Sequence, residues 1–342
     1  MLQRLTARWY TAAAGPSLLQ PLSWLYGAAV ALRRGAYRRG WLQRARIARP
    51  VIIIGNLTVG GTGKTPLTLW LAERLRASGA PVGILSRGYG RRTGATREVR
   101  ADSDWREVGD EPLLLCRRSG CPTVVDANRV RGARWLVSRG ARVIVCDDGL
   151  QHLPLARDGA IVVLDGARGL GNGRLLPAGP LREPATRLAE ADLLVVNGAP
   201  LHPSLRELAA QGTLLRMDLE ASEAVPLAPG GARRPLSSFA GSPVHAVAGI
   251  GNPQRFFQDL RAHGLTLLEH PFADHHPLAA AELDFDDDLP VLMTEKDAVK
   301  CDTDADPRLW YVPVAARFSE AHAQQLLAGV RAKTGDLSVA GS

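Results

Sequence analysis

The chain has 342 residues, of which 46% are hydrophobic and 22% are charged, and its formal net charge at pH 7 is +8. This length and composition exclude a disordered or fibrous chain and provide enough apolar residues for two cores of ordinary domain size. Residues 1–50 hold nine Arg and no acidic residue, so the whole basic excess lies there and the rest of the chain is close to neutral. We therefore expect no nucleic-acid partner for the body of the protein.

The N-terminal segment is apolar as well as basic. Residues 18–32 read LLQPLSWLYGAAVAL, a stretch that Gln20 and Pro21 interrupt and that is shorter than the about 20 apolar residues of a spanning helix. Aromatic residues and arginines of the kind that favour a membrane interface surround it, and we expect an interfacial anchor on the cytoplasmic leaflet. Two alternatives remain open: a cleaved signal peptide, and an amphipathic helix packed on the body.

Residues 51–66 read VIIIGNLTVGGTGKTP: four apolar β-formers, a Gly-rich turn and the start of an apolar-periodic stretch. They predict a strand, a phosphate-binding loop and a helix, because a Gly-rich backbone lets successive N–H groups converge on phosphate oxygens. Lys64 would reach the outer phosphates, and the Thr65 hydroxyl would ligate Mg²⁺. Lysine is rare in this chain, which draws attention to Lys64; the four lysines are Lys64, Lys296, Lys300 and Lys333. The remaining predicted loop contacts are Thr58, which stands where the usual pattern has its first Gly, and Gly60, Gly61, Thr62 and Gly63.

Short apolar segments follow at intervals that leave room for helices. They predict an α/β fold like that of P-loop NTPases, with a buried, mostly parallel sheet and helices on both faces. Beyond Gly212 the composition changes, and further strands predict a smaller C-terminal α/β domain that ends in a helix over residues 319–333. We expect an N-terminal membrane-interface segment with a membrane-associated helix (1–48), a P-loop domain (49–211), a linker (212–236) and the C-terminal domain (237–335).

Two acidic segments of the P-loop domain are candidates for metal binding. Asp147 and Asp148 end an apolar strand, where a phosphate-loop protein holds its Mg²⁺, although one of them can instead cap the following turn. The Gly- and Pro-rich loop 169–184 is a candidate substrate loop, in which Glu183 would add a metal ligand and Arg182 a phosphate contact. The cysteines form no ligand-spaced cluster, which indicates a reduced cytoplasmic setting without structural zinc.

Two further segments have both a purely structural and a functional interpretation. Asp110 precedes an apolar helix that begins with Pro112, so its charge can simply complement the helix N-terminus, which the residues alone favour. Alternatively it accepts the proton of an attacking hydroxyl, as phosphoryl transfer to an alcohol requires. His275 and His276 are adjacent in the second domain and read as a solvated loop, unless an imidazole reaches a carboxylate across a cleft.

Several motifs occur together in one order between Gly55 and Lys300. They are GNLTVGGTGKTP, SRGYG, VGDEP, DDGLQH, GNGRLLPAGPLREP, AGIGNPQRFF, FADHH and MTEKDAVK. In combination they resemble the tetraacyldisaccharide 4′-kinase family, the lipid A 4′-kinases of Gram-negative bacteria. The resemblance implies a P-loop kinase, peripheral or monotopic at the cytoplasmic face of the inner membrane, that uses ATP and Mg²⁺. It would phosphorylate the 4′-hydroxyl of tetraacyldisaccharide 1-phosphate to form lipid IVA, and we expect it to be a monomer.

The resemblance also implies roles for individual residues. Asp110 matches the catalytic carboxylate and His275 the histidine that works with it as a dyad, with Asp110 taking the hydroxyl proton and His275 orienting it. The two would meet when the cleft between the domains closes. Lys64 and Thr65 are assigned to phosphate and Mg²⁺, and the metal neighbourhood comprises Asp147, Asp148 and Glu183.

Two other classes of function remain as alternatives. A membrane-associated P-loop ATPase switch would hydrolyse ATP without a lipid acceptor. A non-enzymatic membrane or nucleic-acid adaptor rests on the Arg-rich N-terminus alone and leaves the acidic strand ends unexplained.

Overall fold

The computed structural model describes residues 9–10, 17–92, 94–301 and 306–335, which form two lobes, each built on its own sheet. The N-terminal helix α1 covers Gln20–Arg38. The elements of the first lobe up to its last parallel strand are β1 Val51–Gly55, α2 Lys64–Ala77, β2 Val82–Ser86, β3 Arg97–Val99, α3 Trp105–Val108, α4 Asp110–Ser119, β4 Thr123–Val125, α5 Arg129–Ser138, β5 Val143–Asp147, β6 Gly159–Asp165, β7 Leu193–Asn197, α6 Arg206–Ala210 and β8 Leu214–Glu220.

The chain then builds the second lobe and returns to the first. The second lobe comprises β9 Glu223–Pro226, β10 Arg234–Pro235, β11 Pro243–Ala248, α7 Pro253–Ala262, β12 Thr266–Pro271, β13 Val291–Thr294, α8 Glu295–Ala298 and β14 Leu309–Val312. The returning elements are β15 Ala315–Phe318 and α9 Glu320–Thr334.

The first sheet has nine strands in the order β15-β8-β7-β6-β1-β5-β2-β4-β3. The seven strands from β8 to β4 are parallel, and an antiparallel strand closes each edge. Helices cover both faces, so alternate residues of β1 enter different cores: Ile52 and Ile54 pack with α2, and Val51 and Ile53 pack on the side of α5. Continuous apolar strands are what a parallel sheet buried on both faces requires.

The second sheet has six strands in the order β10-β9-β14-β13-β11-β12, of which β14, β13, β11 and β12 are parallel. Its helix α7 is amphipathic and buries Phe256, Phe257 and Leu260 against the sheet. The predicted fold class, a P-loop-like α/β domain with a smaller α/β domain, is confirmed.

The strands are shared between the lobes differently from the sequence prediction. The predicted linker, residues 212–236, supplies β8 to the first sheet and β9 to the second. The predicted last helix of the C-terminal domain, α9, belongs to the first lobe, where Leu326 and Val330 are fully buried. Its preceding strand brings the Phe318 ring to 4.7 Å from the Trp70 ring, centroid to centroid. The sequence pattern predicted the last helix but not β15. The choice of sheet depends on contacts with residues far along the chain.

Helix α1 lies against the first lobe and leaves its other side exposed. The Ser23 hydroxyl donates to the Leu175 carbonyl at 2.8 Å, and the Tyr26 hydroxyl donates to the Arg182 carbonyl at 2.8 Å, so the helix rests on the loop 169–184. Among the residues that the structure describes, no helix is long and apolar enough to cross a membrane. Residues 1–8 and 11–16 of the predicted N-terminal segment lie outside the described residues.

Candidate active site

The Gly-rich loop between β1 and α2 contains backbone conformations that residues other than Gly rarely adopt. Gly60 has φ 99° and Gly63 has φ 96°, both in the left-handed region. A Cβ atom at Gly63 would lie 2.6 Å from Nδ2 of Asn197, which itself donates to the Thr62 carbonyl at 3.0 Å. Asn197 at the end of β7 therefore holds the loop so that the N–H groups at the start of α2 are available to an anion. The sequence analysis missed this residue.

A cleft of about 640 Å³ runs past this loop between the two lobes. Its lining has two kinds of chemistry. Part of it is mainly apolar, with one carboxylate, and comprises Leu69, Leu219, Phe256, Asp259 and Val314. Another part is polar and charged, and comprises Arg87, Tyr89, Glu111, Asp148, Arg182, Asp274, His275 and Lys296.

Cations surround Asp148 in the cleft lining. Arg182 donates to both carboxylate oxygens, with Nη1 at 3.2 Å from Oδ2 and Nη2 at 3.3 Å from Oδ1, and Lys64 Nζ lies 3.6 Å from Oδ1. Burial alone would raise the pKa of Asp148, but Lys64 and Arg182 outweigh it and lower the pKa to about 2. The carboxylate is therefore ionised at neutral pH, and it remains partly exposed to the cleft.

The two neighbouring aspartates have different environments. Asp148 has φ 45°, a left-handed value that turns it out of the strand, whereas Asp147 is buried at the end of β5. Asp147 Oδ1 accepts from the Thr68 hydroxyl at 3.1 Å, and its Oδ2 has no hydrogen-bond partner within the described residues. Burial and then the charge of Glu111 raise the pKa of Asp147 to about 7. Only Asp148 of this pair lines the cleft.

The donors at this point fit a hard divalent cation. Thr65 and Asp148 line the cleft, and Oδ2 of the adjacent, buried Asp147 has no hydrogen-bond partner within the described residues. In the described part of the chain, no three or more His, Cys, Asp or Glu side chains are grouped as a metal site. Mg²⁺ commonly binds one or two carboxylates and takes its other oxygens from phosphates and water, so Thr65 and Asp148 are suitable for it.

Two other residues predicted for the loop and the metal lie away from the cleft. Glu183 is buried and its carboxylate accepts from Arg187 Nε at 3.1 Å, so the structure does not bring it to Thr65 and Asp148. Thr58 is buried and forms a β-bridge with Leu181 beneath the loop. Arg187, four residues after Glu183, is the nearer partner of the Glu183 carboxylate.

Asp110 and His275 meet across the two lobes. Asp110 begins α4 and is 4% exposed, while His275 lies in the loop between β12 and β13 with φ 62°. The Nδ1–H of His275 donates to Asp110 Oδ2 at 2.9 Å, with Oδ1 at 3.2 Å. His276 points elsewhere and pairs with Glu282 at 2.9 Å. The expected meeting of an imidazole with a carboxylate across a cleft is therefore present, and it involves His275.

The relative positions of the pair differ from the sequence hypothesis. His275 lines the cleft, but the Asp110 carboxylate is buried behind it. Burial would lower the pKa of His275, yet the hydrogen bond to Asp110 raises it on balance; burial would raise the pKa of Asp110, yet His275 and Lys296 lower it. Of the two side chains, the imidazole lines the cleft, whereas the sequence hypothesis had Asp110 facing the transferring phosphoryl group.

Lys296 completes the cluster and was missed by the sequence analysis. Its Nζ donates to Glu111 Oε1 at 3.0 Å and to Asp274 Oδ1 at 3.1 Å, and it lies 3.9 Å from Asp110 Oδ2. Because α8 belongs to the second lobe and α4 to the first, these contacts connect the lobes. The scarcity of lysine that drew attention to Lys64 applied equally to Lys296.

A second concentration of positive charge extends from the cleft towards α1. Burial and the neighbouring charges of Arg129, Arg33, Arg87 and Arg157 lower the pKa of His152 to about 4. Arg87 lines the cleft, and Arg129 Nη2 donates to the Asp148 carbonyl at 3.2 Å. This concentration of guanidinium groups would attract an anion.

Known proteins resemble the chain over most of its length. The family model described as tetraacyldisaccharide-1-P 4′-kinase matches residues 16–331. A tetraacyldisaccharide 4′-kinase of Alkalilimnicola ehrlichii is 52% identical over 315 residues, which cover 91% of this chain and 92% of that protein. One of Pseudomonas aeruginosa is 49% identical over 317 residues, covering 92% and 93%. The crystal structure of LpxK from Aquifex aeolicus in complex with ATP has a TM-score of 0.76 at 27% identity and covers 92% of this chain and 98% of that one.

The substitution Asp110→Asn tests the electrostatic link between the lobes. It keeps the shape of the side chain but removes the charge that raises the pKa of His275, so that pKa should fall. An NMR titration of the His275 ring, assigned with His275→Gln, measures the shift. Glu282→Gln is the matched control, since its partner is His276 and the His275 titration should not move. An unchanged or higher pKa in Asp110→Asn would show that the pair does not form in solution.

Proposed function

The chain belongs to the tetraacyldisaccharide-1-P 4′-kinase family, and we propose that its cleft transfers the γ-phosphoryl group of ATP to the 4′-hydroxyl of a tetraacyldisaccharide 1-phosphate. One observation carries the proposal: Lys64 on the phosphate-binding loop and His275 on the opposite lobe line the same cleft. A nucleotide phosphate and a proton acceptor for an alcohol can therefore meet there. The reaction forms a bond between the sugar oxygen and the γ-phosphorus and breaks the bond to the β-phosphate, which releases ADP.

The donor nucleotide would lie along the loop. Backbone N–H groups at the start of α2 and the Lys64 ammonium supply donors to its phosphates. Thr65 and Asp148 would hold Mg²⁺, which neutralises charge on the transferring phosphates when bound. The base would pack against the apolar part of the cleft lining, to which Leu219 and Phe256 belong. Arg182 lies beside Asp148, where its guanidinium could also donate hydrogen bonds to the phosphates.

His275 would accept the proton of the 4′-hydroxyl at Nε2. Asp110 holds the Nδ1–H by a hydrogen bond of 2.9 Å, which fixes the tautomer that leaves the Nε2 lone pair towards the cleft. The same carboxylate stabilises the imidazolium that forms when the proton arrives. A positioned general base of this kind contributes typically about 10²–10⁴-fold in rate. We propose that His275 is the proton acceptor and Asp110 its orienting partner, in place of the reverse roles that the sequence motifs implied.

The 1-phosphate of the acceptor would bind the positive region around His152. Arg33, Arg87, Arg129 and Arg157 all raise the positive potential there, and Arg33 comes from α1 itself. A phosphate monoester carries up to two negative charges, which this concentration of guanidinium groups suits. The acceptor would thus lie between the N-terminal helix and the cleft, with its sugar directed to His275.

We propose that the enzyme works at the cytoplasmic face of the inner membrane through the exposed side of α1. This side carries large apolar residues that the body does not cover, among them Leu22, Trp24, Leu25 and Leu32. The arginines around it favour anionic headgroups. An acceptor with four acyl chains would remain in the bilayer while its glucosamine head reaches the cleft.

The first test is transfer of label from [γ-³²P]ATP to purified tetraacyldisaccharide 1-phosphate in detergent. Lys64→Ala should lower transfer by about 10²-fold or more, because it removes a charge that stabilises the transferring phosphate. Lys333→Ala is the matched control, since that ammonium pairs with Asp192 at 2.6 Å away from the cleft. Release of free phosphate without labelled lipid would contradict the proposal and favour a P-loop ATPase switch.

The dyad predicts a specific kinetic pattern. His275→Ala and Asp110→Ala should each lower kcat by about 10²–10⁴-fold with little change in the KM for ATP. The double variant should be no worse than the poorer single variant, because the two residues act as a unit. His276→Ala should stay close to wild type, since its ring pairs with Glu282. Independent, additive losses would show that the residues act separately.

Membrane attachment can be tested on the exposed side of α1. Leu22→Glu with Leu25→Glu should reduce the fraction of enzyme that sediments with anionic phospholipid vesicles, because both side chains are more than half exposed. Leu268→Glu, an exposed leucine of the second lobe, is the control and should sediment as wild type does. Equal sedimentation of all three proteins would exclude α1 as the attachment surface.

A further inference from the structure

The second lobe approaches the phosphate-binding loop through residues 248–257, the motif AGIGNPQRFF. These residues run from the last residue of β11 into α7. A Cβ atom at Gly251 would lie 2.9 Å from the Gly61 nitrogen and 3.3 Å from the Gly60 Cα atom. The two backbones therefore pack directly against each other. Arg255, in the first turn of α7, lines the cleft beside them.

Arg255 is also connected to the loop through one amide side chain. Its Nη2 donates to Asn197 Oδ1 at 2.8 Å, and Asn197 Nδ2 donates to the Thr62 carbonyl at 3.0 Å. Asn197 is buried at the end of β7. Arg255 Nη1 lies 3.9 Å from Oδ2 of Asp165, a buried carboxylate at the end of β6. A guanidinium of the second lobe thus reaches the backbone of the phosphate-binding loop through a single residue.

The two partners of Asn197 determine which way its amide group faces. The amide oxygen accepts and the amide nitrogen donates, and the two ends have nearly the same shape. A guanidinium only donates, so Arg255 selects the oxygen, whereas the Thr62 carbonyl only accepts and selects the nitrogen. Without Arg255, the buried Oδ1 would lose the hydrogen bond that the structure gives it, and the orientation of the amide would depend on Thr62 alone.

The orientation of this amide matters for the loop because of the geometry of one peptide unit. The Thr62 carbonyl and the Gly63 N–H belong to the same trans peptide, in which they point in opposite directions. Holding the carbonyl at Asn197 therefore also fixes the direction of the Gly63 N–H, one of the donors that a Gly-rich loop offers to an anion.

We propose that Arg255 is a positioning residue for nucleotide binding, which acts through Asn197 to hold the phosphate-binding loop in its anion-binding conformation. Gly251 contributes by leaving room for the backbones of the two lobes to approach. The inference rests on the proposed binding of ATP at Lys64. It makes the second lobe, which supplies His275, a contributor to nucleotide affinity as well.

The test measures nucleotide affinity without the lipid acceptor, by calorimetric titration of a non-hydrolysable ATP analogue with Mg²⁺ into the full-length enzyme. Arg255→Met should weaken binding by about 10-fold or more, because a charged hydrogen bond to a buried amide is lost. Arg261→Met is the matched control, since Arg261 lies on the same helix and pairs with Glu269 of its own lobe. Its affinity should equal that of wild type.

A double-mutant cycle separates positioning from direct contact with a phosphate. Asn197→Leu keeps a similar volume but removes the donor to the Thr62 carbonyl, so it should weaken binding at least as much as Arg255→Met does. Adding Arg255→Met to Asn197→Leu should then cause no further loss, because Arg255 acts through Asn197. Equal losses on both backgrounds would make Arg255 a phosphate ligand and would overturn the inference.

Steady-state kinetics with the lipid acceptor add an independent readout. In Arg255→Met the KM for ATP should rise in step with the loss of affinity. The kcat at saturating ATP should stay within about 3-fold of wild type, because the Asp110–His275 pair is not altered. A fall in kcat with an unchanged KM for ATP would contradict a positioning role in nucleotide binding.

Gly251→Ala tests the same contact between the lobes and serves if Arg255→Met does not fold. Its Cβ would meet the Gly61 nitrogen and force the loop and the second lobe apart, so nucleotide affinity should fall. Gly94→Ala is the control, because a Cβ there meets open space.

The inference and the proposed function fail in different ways. Wild-type affinity in both Arg255→Met and Gly251→Ala, with binding still lost in Lys64→Ala, would overturn the inference alone. Nucleotide binding that Lys64→Ala does not weaken would remove the proposed nucleotide site, and the inference with it.

Discussion

The hydrogen bond between Asp110 and His275 is the constraint on which the arrangement of the two lobes depends. Removing the partner of a buried ion costs about 3–5 kcal/mol, so the nearly buried Asp110 carboxylate needs a cation or donor within reach. The second lobe supplies both, the His275 ring and the Lys296 ammonium. The same contacts that satisfy this buried charge place an imidazole opposite the phosphate-binding loop. The contacts that stabilise this arrangement of the lobes therefore also assemble the proposed site.

The topology explains how the second lobe can reach this position. The chain leaves the first sheet at Glu220, the end of β8, and returns at Ala315, the start of β15, and these two residues are partners in the antiparallel pair. The second lobe is thus an insertion whose two connections lie side by side at the sheet edge. The contacts between α4 and α8 on the far side then fix the cleft.

The N-terminal helix is connected to the same site through the backbone. The Tyr26 hydroxyl binds the carbonyl of Arg182, whose guanidinium holds Asp148, so α1 and the acidic end of β5 share one loop. Arg33 of α1 also contributes to the positive region around His152. Helix α1 thus has exposed apolar residues on one side and contacts the loop 169–184 on the other, so it lies between the proposed membrane surface and that loop.

The sequence by itself determined the fold class, the phosphate-binding loop and the edge of the sheet where the site lies. These features depend on local rules: continuous apolar runs, Gly at left-handed positions such as Gly63, and carboxylates at strand ends. Only the tertiary structure decided that Asp148 and not Asp147 lines the cleft, that Glu183 pairs with Arg187, that β15 and α9 return to the first sheet, and that His275 rather than Asp110 lines the cleft. Each of these depends on burial and on which partner is nearest. Asp110 and His275 are 165 positions apart, and no local pattern encodes which atom of such a pair faces solvent.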